Sequence, residues 1–290
     1  MYYILSLLSG VLISVMVAVN GGLSDLYGLH WATVFIHITG LILIGILVLV
    51  KRENPFASRH PWFLYLGGAI GVLNVLFANL AFGRISISAI LALGLLGQSI
   101  SGLLIDHFGL WGLQQRRFSK GNLAGLILIL VGIAPMLTSF EFFAMLVSFG
   151  GGISVVLSRT LNAKLSDVTT VRTSTFFNYI IGLAVALPVF LFFETGNTPF
   201  FGFRPSTDWF LYTGGLLGVV VIMLANVLVL KVSAFYLTLL LFIGQVFTGI
   251  LIDTVLDGVF SFNIFLGGVL VSAGLVANQL LDRRRDRLEE

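Results

Sequence analysis

The sequence predicts an all-α integral membrane protein in which ten transmembrane helices form two inverted five-helix repeats. Three observations carry that expectation: a composition too apolar for water, ten apolar stretches of membrane-spanning length, and an internal repeat whose unit has an odd number of spans.

Of the 290 residues, 58% are hydrophobic and 10% charged, a balance that a water-soluble domain cannot distribute between core and surface. The stretches lie at about 3–23, 31–50, 62–82, 85–105, 121–139, 141–161, 170–193, 209–229, 233–252 and 262–281. Each is close to the roughly 20 residues that cross a ~30 Å hydrocarbon layer at 1.5 Å per residue. Only short loops remain, so catalysis or nucleic-acid binding has no soluble domain to occupy. The first stretch lacks a basic leader and is followed by nine more, which reads as an uncleaved first helix. Cysteine is absent, so there is neither a disulfide framework nor a thiolate metal site.

Orientation follows from the basic residues. Loops on the N-terminal side carry Lys51, Arg52, Arg59, Arg116, Arg117, Lys120, Arg159, Lys164, Arg172, Lys231, Arg283, Arg284, Arg285 and Arg287, and the other side carries only Arg84 and Arg204. The positive-inside rule then places both termini in the cytoplasm of a bacterial inner (plasma) membrane, with the Asp25–His30 loop outside. An even number of spans satisfies this.

The repeat is read from four successive pairs of spans. Thr33, Phe35, His37, Gly40 and Leu41 in the second span answer to Thr175, Phe177, Tyr179, Gly182 and Leu183 in the seventh. Gly67, Gly68, Gly71, Val72, Ala78 and Asn79 answer to Gly214, Gly215, Gly218, Val219, Ala225 and Asn226. Gly97, Gln98, Gly102, Ile105 and Asp106 answer to Gly244, Gln245, Gly249, Ile252 and Asp253, and Gly125 and Gly132 to Gly267 and Gly274. The units are 1–139 and 140–290. Because each has five spans, the second enters the membrane from the opposite face. Inverted repeats of this kind are a recurring plan of secondary transporters.

The five-span unit, the Asn20-Gly21-Gly22-Leu23 ending of the first span and above all the Gly-Gln-x-x-x-Gly-x-x-Ile-Asp pattern resemble the YdcZ-like branch of the drug/metabolite transporter superfamily, here as a tandem pair. The resemblance covers nearly the whole chain. It implies a ten-helix transporter with a central cavity between the halves, lined by the first four helices of each, and with the fifth and tenth peripheral. The small multidrug resistance proteins resemble the same plan but carry a glutamate deep in the first helix. Here no acid lies between Ile4 and Val19 or between Phe142 and Ser158, so a proton-coupled cation-export mechanism does not transfer.

Polar side chains inside the spans are either interhelical glue or part of a substrate path. His37 and its counterpart Tyr179 present ring-borne polar tips at equivalent positions. Gln98 and Gln245 lie mid-span among small residues, with Ser101 and Thr248 three residues on along the same helical face. Asn74, Asn79 and Asn226 sit beside a stripe of small residues, where close helix packing is the bland reading. Asn20 and Asn162 fall at expected helix ends, with Gly21 after the first, so C-terminal capping accounts for Asn20. Asp106 and Asp253 close two spans and are candidate gates, pairing with Arg84 or Lys231 in one state. Trp31, Trp62, Trp111 and Trp209 lie near the expected interfaces, and Phe176 and Phe177 face either a cavity or lipid.

No zinc-protease, nucleophile-elbow or nucleotide-binding motif is present, so neither an enzyme nor a primary pump is expected, and no cofactor. The sequence therefore points to a secondary transporter, with export the expected direction, for a small neutral or amphipathic metabolite. A passive channel or a lipid-translocating protein is the alternative. The partners this reading expects are a small-molecule substrate and the lipid bilayer, with no nucleic acid, and a homodimer is left open.

Overall fold

A computed structural model describes residues 1–108, 120–137, 141–193, 205–228, 231–232, 234–258 and 260–289. Among these residues the regular structure is helical, without strands: α1 (Tyr2–Tyr27), α2 (Leu29–Val50), α3 (Leu66–Ala81), α4 (Ile87–Phe108), α5 (Lys120–Ile133), α6 (Phe142–Val168), α7 (Val171–Phe193), α8 (Gly214–Leu228), α9 (Ala234–Asp257) and α10 (Phe262–Glu289). Helix is the form in which an apolar segment satisfies its own backbone groups without water, which is why these stretches take it. Large apolar side chains such as Ile42, Ile46, Leu130, Phe192, Leu251 and Val255 point outward, as a lipid-facing surface requires.

Seven helical segments among the described residues are long and apolar enough to cross a membrane. They include the segments 62–81 and 209–228, in which a short 3-10 turn precedes α3 and α8. The apolar parts of α9 and α10, Leu240–Leu256 and Phe262–Gly274, are shorter. Where a stretch is expected at 121–139, α5 has only 14 residues, about 21 Å of helix, because a 3-10 turn containing Pro135 ends it. Between α1 and α2 the chain turns on Gly28 alone, whose φ of 87° favours glycine.

Packing joins the two halves of the sequence rather than separating them. Helix α1 lies against α8 and α9, and α6 lies against α3 and α4, while α2 packs on α7 and α5 on α10. Glycines permit the closest of these approaches. A Cβ at Gly10 would come within 2.3 Å of the Leu241 carbonyl oxygen, and one at Gly244 within 2.3 Å of that of Leu7. With the halves exchanged, a Cβ at Gly152 would lie 1.9 Å from the Gly94 carbonyl oxygen, and one at Gly97 lies 2.1 Å from that of Phe149. Each contact recurs with its partners swapped between the halves. Apolar burial cannot drive helix association in lipid, so such backbone-to-backbone fits do.

Expectations about local structure are corrected at Asn20, Arg159, Asn162 and Lys164, all of which lie inside helices. Asn20 does not end a helix: α1 runs on to Tyr27, and Gly21 and Gly22 serve packing, against the Phe82 ring and Leu211. Arg159 is not in a loop, because α6 extends to Val168 and carries it about 14 Å before the helix end. Lys164 likewise lies within α6.

Candidate functional site

A central cavity of about 210 Å³ lies where the halves meet. Every one of α1 to α4 and α6 to α9 contributes to its lining, and among the described residues none of α5 or α10 does. Of the residues singled out in the sequence, it brings together His37, Tyr179, Gln98, Gln245, Asn74, Asn79 and Asn226.

His37 and Tyr179 sit side by side on α2 and α7, with ring centroids 5.9 Å apart. Their helices meet closely because each ring lies over the other helix's glycine, His37 on Gly182 and Tyr179 on Gly40. The Nδ1–H of His37 donates to the Thr33 carbonyl at 2.7 Å, which leaves Nε2 as an acceptor in the neutral ring. The Tyr179 hydroxyl donates to the Gly215 carbonyl at 3.1 Å. Asn79 and Asn226, counterparts in the repeat, each leave a buried Nδ2 without a partner, and Ser9 Oγ and Asn20 Oδ1 are in the same position.

Ser101 and Thr248 are not part of the lining. The Ser101 hydroxyl turns back to donate to the Gly97 carbonyl of its own helix at 2.7 Å. Phe176 and Phe177 do not line it either, and Phe177 is buried against Tyr65 with ring centroids 4.6 Å apart. Trp62 and Trp209 are exposed, Trp31 packs on Phe190, and Trp111 lies outside the described residues.

The Asp253 carboxylate at the end of α9 accepts from the backbone N–H groups of Ile87 and Ser88 at 2.7 and 2.9 Å and from the Ser88 hydroxyl at 2.6 Å. It thereby caps the N-terminus of α4, where free N–H groups and the helix dipole favour an anion. The Arg84 guanidinium lies 5.2 Å from the centre of the Phe143 ring. Lys231 is exposed in the turn after α8. The Asp106 side chain lies outside the described residues.

Sequence reasoning missed the polar wall of the cavity. Ser148, Gly152, Val155, Arg159 and Asn162 line it from a single face of α6. Arg159 places its Nη2 3.5 Å from Gln98 Oε1. Around it Ser158 donates to the Gly67 carbonyl at 2.7 Å, and Asn162 Nδ2 donates to Asn178 Oδ1 at 2.8 Å. The signal that would have found them is the three-and-four spacing of those positions along α6.

Beyond the cavity the two ends of the bundle differ. At one, Glu53 after α2 accepts from Arg172 Nε at 2.7 Å and from the Thr170 hydroxyl at 2.9 Å, and forms an ion pair with Arg172. The Arg172 hydrogen bond holds its carboxyl below the usual carboxylate range, assisted by Thr170 against the opposing effect of burial. At the other end the hydroxyls of Tyr27 and Tyr212 are hydrogen-bonded, and both accept from the Ser206 N–H at 2.9 Å.

A family model described as "Putative inner membrane exporter, YdcZ" matches the chain twice, over residues 1–135 and 143–279. No curated protein matches. One solved crystal structure superposes with a TM-score of 0.69, covering 97% of this chain and 98% of its own, at 14% identity, which is a likeness of fold alone.

Proposed function

The chain belongs to the YdcZ inner membrane exporter family, and on that premise we propose that it is a secondary transporter exporting a small neutral or amphipathic metabolite by alternating access. The observation that carries this is the central cavity, to which the first four helices of both halves contribute polar side chains. At about 210 Å³ it is smaller than the ~300–1,000 Å³ of drug-sized pockets, which suits a small solute. His37, Tyr179, Gln98, Gln245, Asn74, Asn79 and Asn226 are the binding residues in this reading.

The two halves act as inverted repeats, related by a half-turn about an axis in the membrane plane, within a ten-span chain whose termini are both cytoplasmic. Reciprocal glycine contacts support the first part and the distribution of basic loop residues the second. Exchange of conformation between the halves would then expose one site to each face in turn. Asp253 anchors α4 to α9 in the present conformation, and Asp106, Arg84 and Lys231 are its proposed companions in gating.

Reconstitution tests the proposal. Purified protein in liposomes is expected to give saturable uptake that is accelerated by substrate on the opposite side. Flux that rises linearly with concentration, without counterflow, would mean a channel. Single cysteines introduced into this cysteine-free chain test the orientation: an impermeant maleimide added outside is expected to label position 25 and spare the 51–59 loop, and the reverse would sink it.

A further inference from the structure

We propose that the cavity is an oriented site for a small amphipathic organic anion, whose carboxylate is held by Arg159 and whose apolar part lies against α1 and α2. The inference rests on the carrier reading above and narrows its substrate class.

The repeat shows the asymmetry. The lining residues Met16, Val17, Asn20 and Ile36 of the first half have Ser158, Arg159, Asn162 and Asn178 as counterparts in the second, at the same spacing as His37 and Tyr179. Three apolar side chains on one side have thus become a hydroxyl, a guanidinium and an amide on the other. With Ile13 beside Met16 and Val17, the α1 and α2 side is the more apolar, although Ser9, Asn20 and His37 also line it, and the α6 and α7 side is polar and cationic.

Arg159 then lacks a counter-charge. A guanidinium stays protonated in proteins, and a charge inside a membrane protein is costly unless paired. No aspartate or glutamate lines the cavity among the described residues, and the one hydrogen bond of Arg159 there reaches the neutral Gln98 amide at 3.5 Å, the limit of such a bond. A carboxylate entering the cavity would receive two parallel N–H donors from the guanidinium fork, the geometry for which arginine is suited. The adjoining Ser158, Asn162 and Asn178 are already engaged with one another or with Gly67, which holds the α6 wall in place and leaves Arg159 as the charged donor of that wall, with unused N–H groups in addition to the unpaired Nδ2 groups of Asn79 and Asn226. A cationic solute is disfavoured by the same charge, and a wholly neutral one leaves it unpaired.

The test compares phenylacetate with its neutral isostere phenylacetamide, by calorimetry and thermal shift on the purified full chain in phosphatidylcholine nanodiscs. Phenylacetate is expected to bind at least tenfold more tightly than the amide. Arg159→Gln is expected to bring the acid down to the level of the amide without lowering the melting temperature. Arg159→Lys, which keeps the charge without the fork, is expected to retain a weakened preference for the acid. Equal binding of the two probes to the wild type, no binding of the acid, or an undiminished preference in folded Arg159→Gln would each overturn the proposal. Adding phosphatidylglycerol separates a lipid headgroup from a soluble acid as the occupant: its abolishing acid binding at equimolar ratio would overturn the proposal. Proteoliposome counterflow separates this inference from the carrier reading. Arg159-dependent binding without counterflow refutes the carrier alone, and counterflow of acid and amide at equal affinity, unaffected by Arg159→Gln, refutes the anion site alone.

Discussion

The corner formed by α1, α2 and α8 and the corner formed by α6, α7 and α3 are built on the same backbone contacts and have opposite chemistry. In the first, Asn20 rests its Oδ1 on Gly214 with no hydrogen-bond partner, among Met16, Val17 and Ile36. In the second, Asn162 lies on Gly67 in the same way but also donates to Ser158 and Asn178. The difference teaches that glycine contacts specify the fold in both corners, while the side chains that face the cavity are free to diverge. Symmetry belongs to the packing and asymmetry to the site.

The sharpest way to break this comparison is at the glycines. Gly10→Leu and Gly152→Leu each drive a side chain into a carbonyl of the neighbouring helix, and both are expected to abolish the folded, monodisperse protein in size-exclusion chromatography. Survival of one but not the other would show that the corners do not share a packing role.

A smaller effect separates the asparagines. Asn162→Ala removes bonds to two partners and leaves the Asn178 carbonyl oxygen unpaired, a loss of about 1–2 kcal/mol in thermal or denaturant unfolding. Asn20→Ala removes an acceptor that has no donor, and is expected to cost less than half as much. Equal losses would mean that the α6 network contributes nothing beyond packing.

The smallest effect contrasts the two ends of the bundle. The folded carboxyl of Glu53 titrates below its usual value of 4.5, so its bond to Arg172 stabilises the protein above that pH and the contribution is lost as pH falls through the folded value. Wild type is therefore expected to exceed Glu53→Gln in melting stability at neutral pH, by less than ~1 kcal/mol because the pair is partly exposed, and to converge with it in acid. Tyr27→Phe at the opposite end is expected to show a difference from wild type that does not change between pH 7 and pH 4. A Glu53→Gln difference that persists in acid would contradict the assignment.

Much of the fold was legible because the repeat writes it twice. Gly67 and Gly214, or Gly97 and Gly244, recur where helices touch, and Gln98 and Gln245 recur where the cavity lies. What failed to repeat was misread. Arg159 stands where the first half has Val17, so the repeat was silent there, and it was counted with the loop cations although the expected sixth stretch ran to residue 161. Gly21 looked like a helix terminator because a glycine that stops a helix and one that admits a Phe82 ring are the same letter. Asp253 was legible as a polar helix end, but its bond to α4 depends on a helix far away in the chain.

The seating of α1 between α8 and α9 also sets an order of events at the ribosome. Helix α1 precedes α8 and α9 in the chain, so the contacts it makes with them form only after those helices are synthesised. Until α9 arrives, the groove around Gly10 has no backbone to close on. A chain truncated before Ala234 would leave Gly10 of α1 without the α9 backbone it packs against.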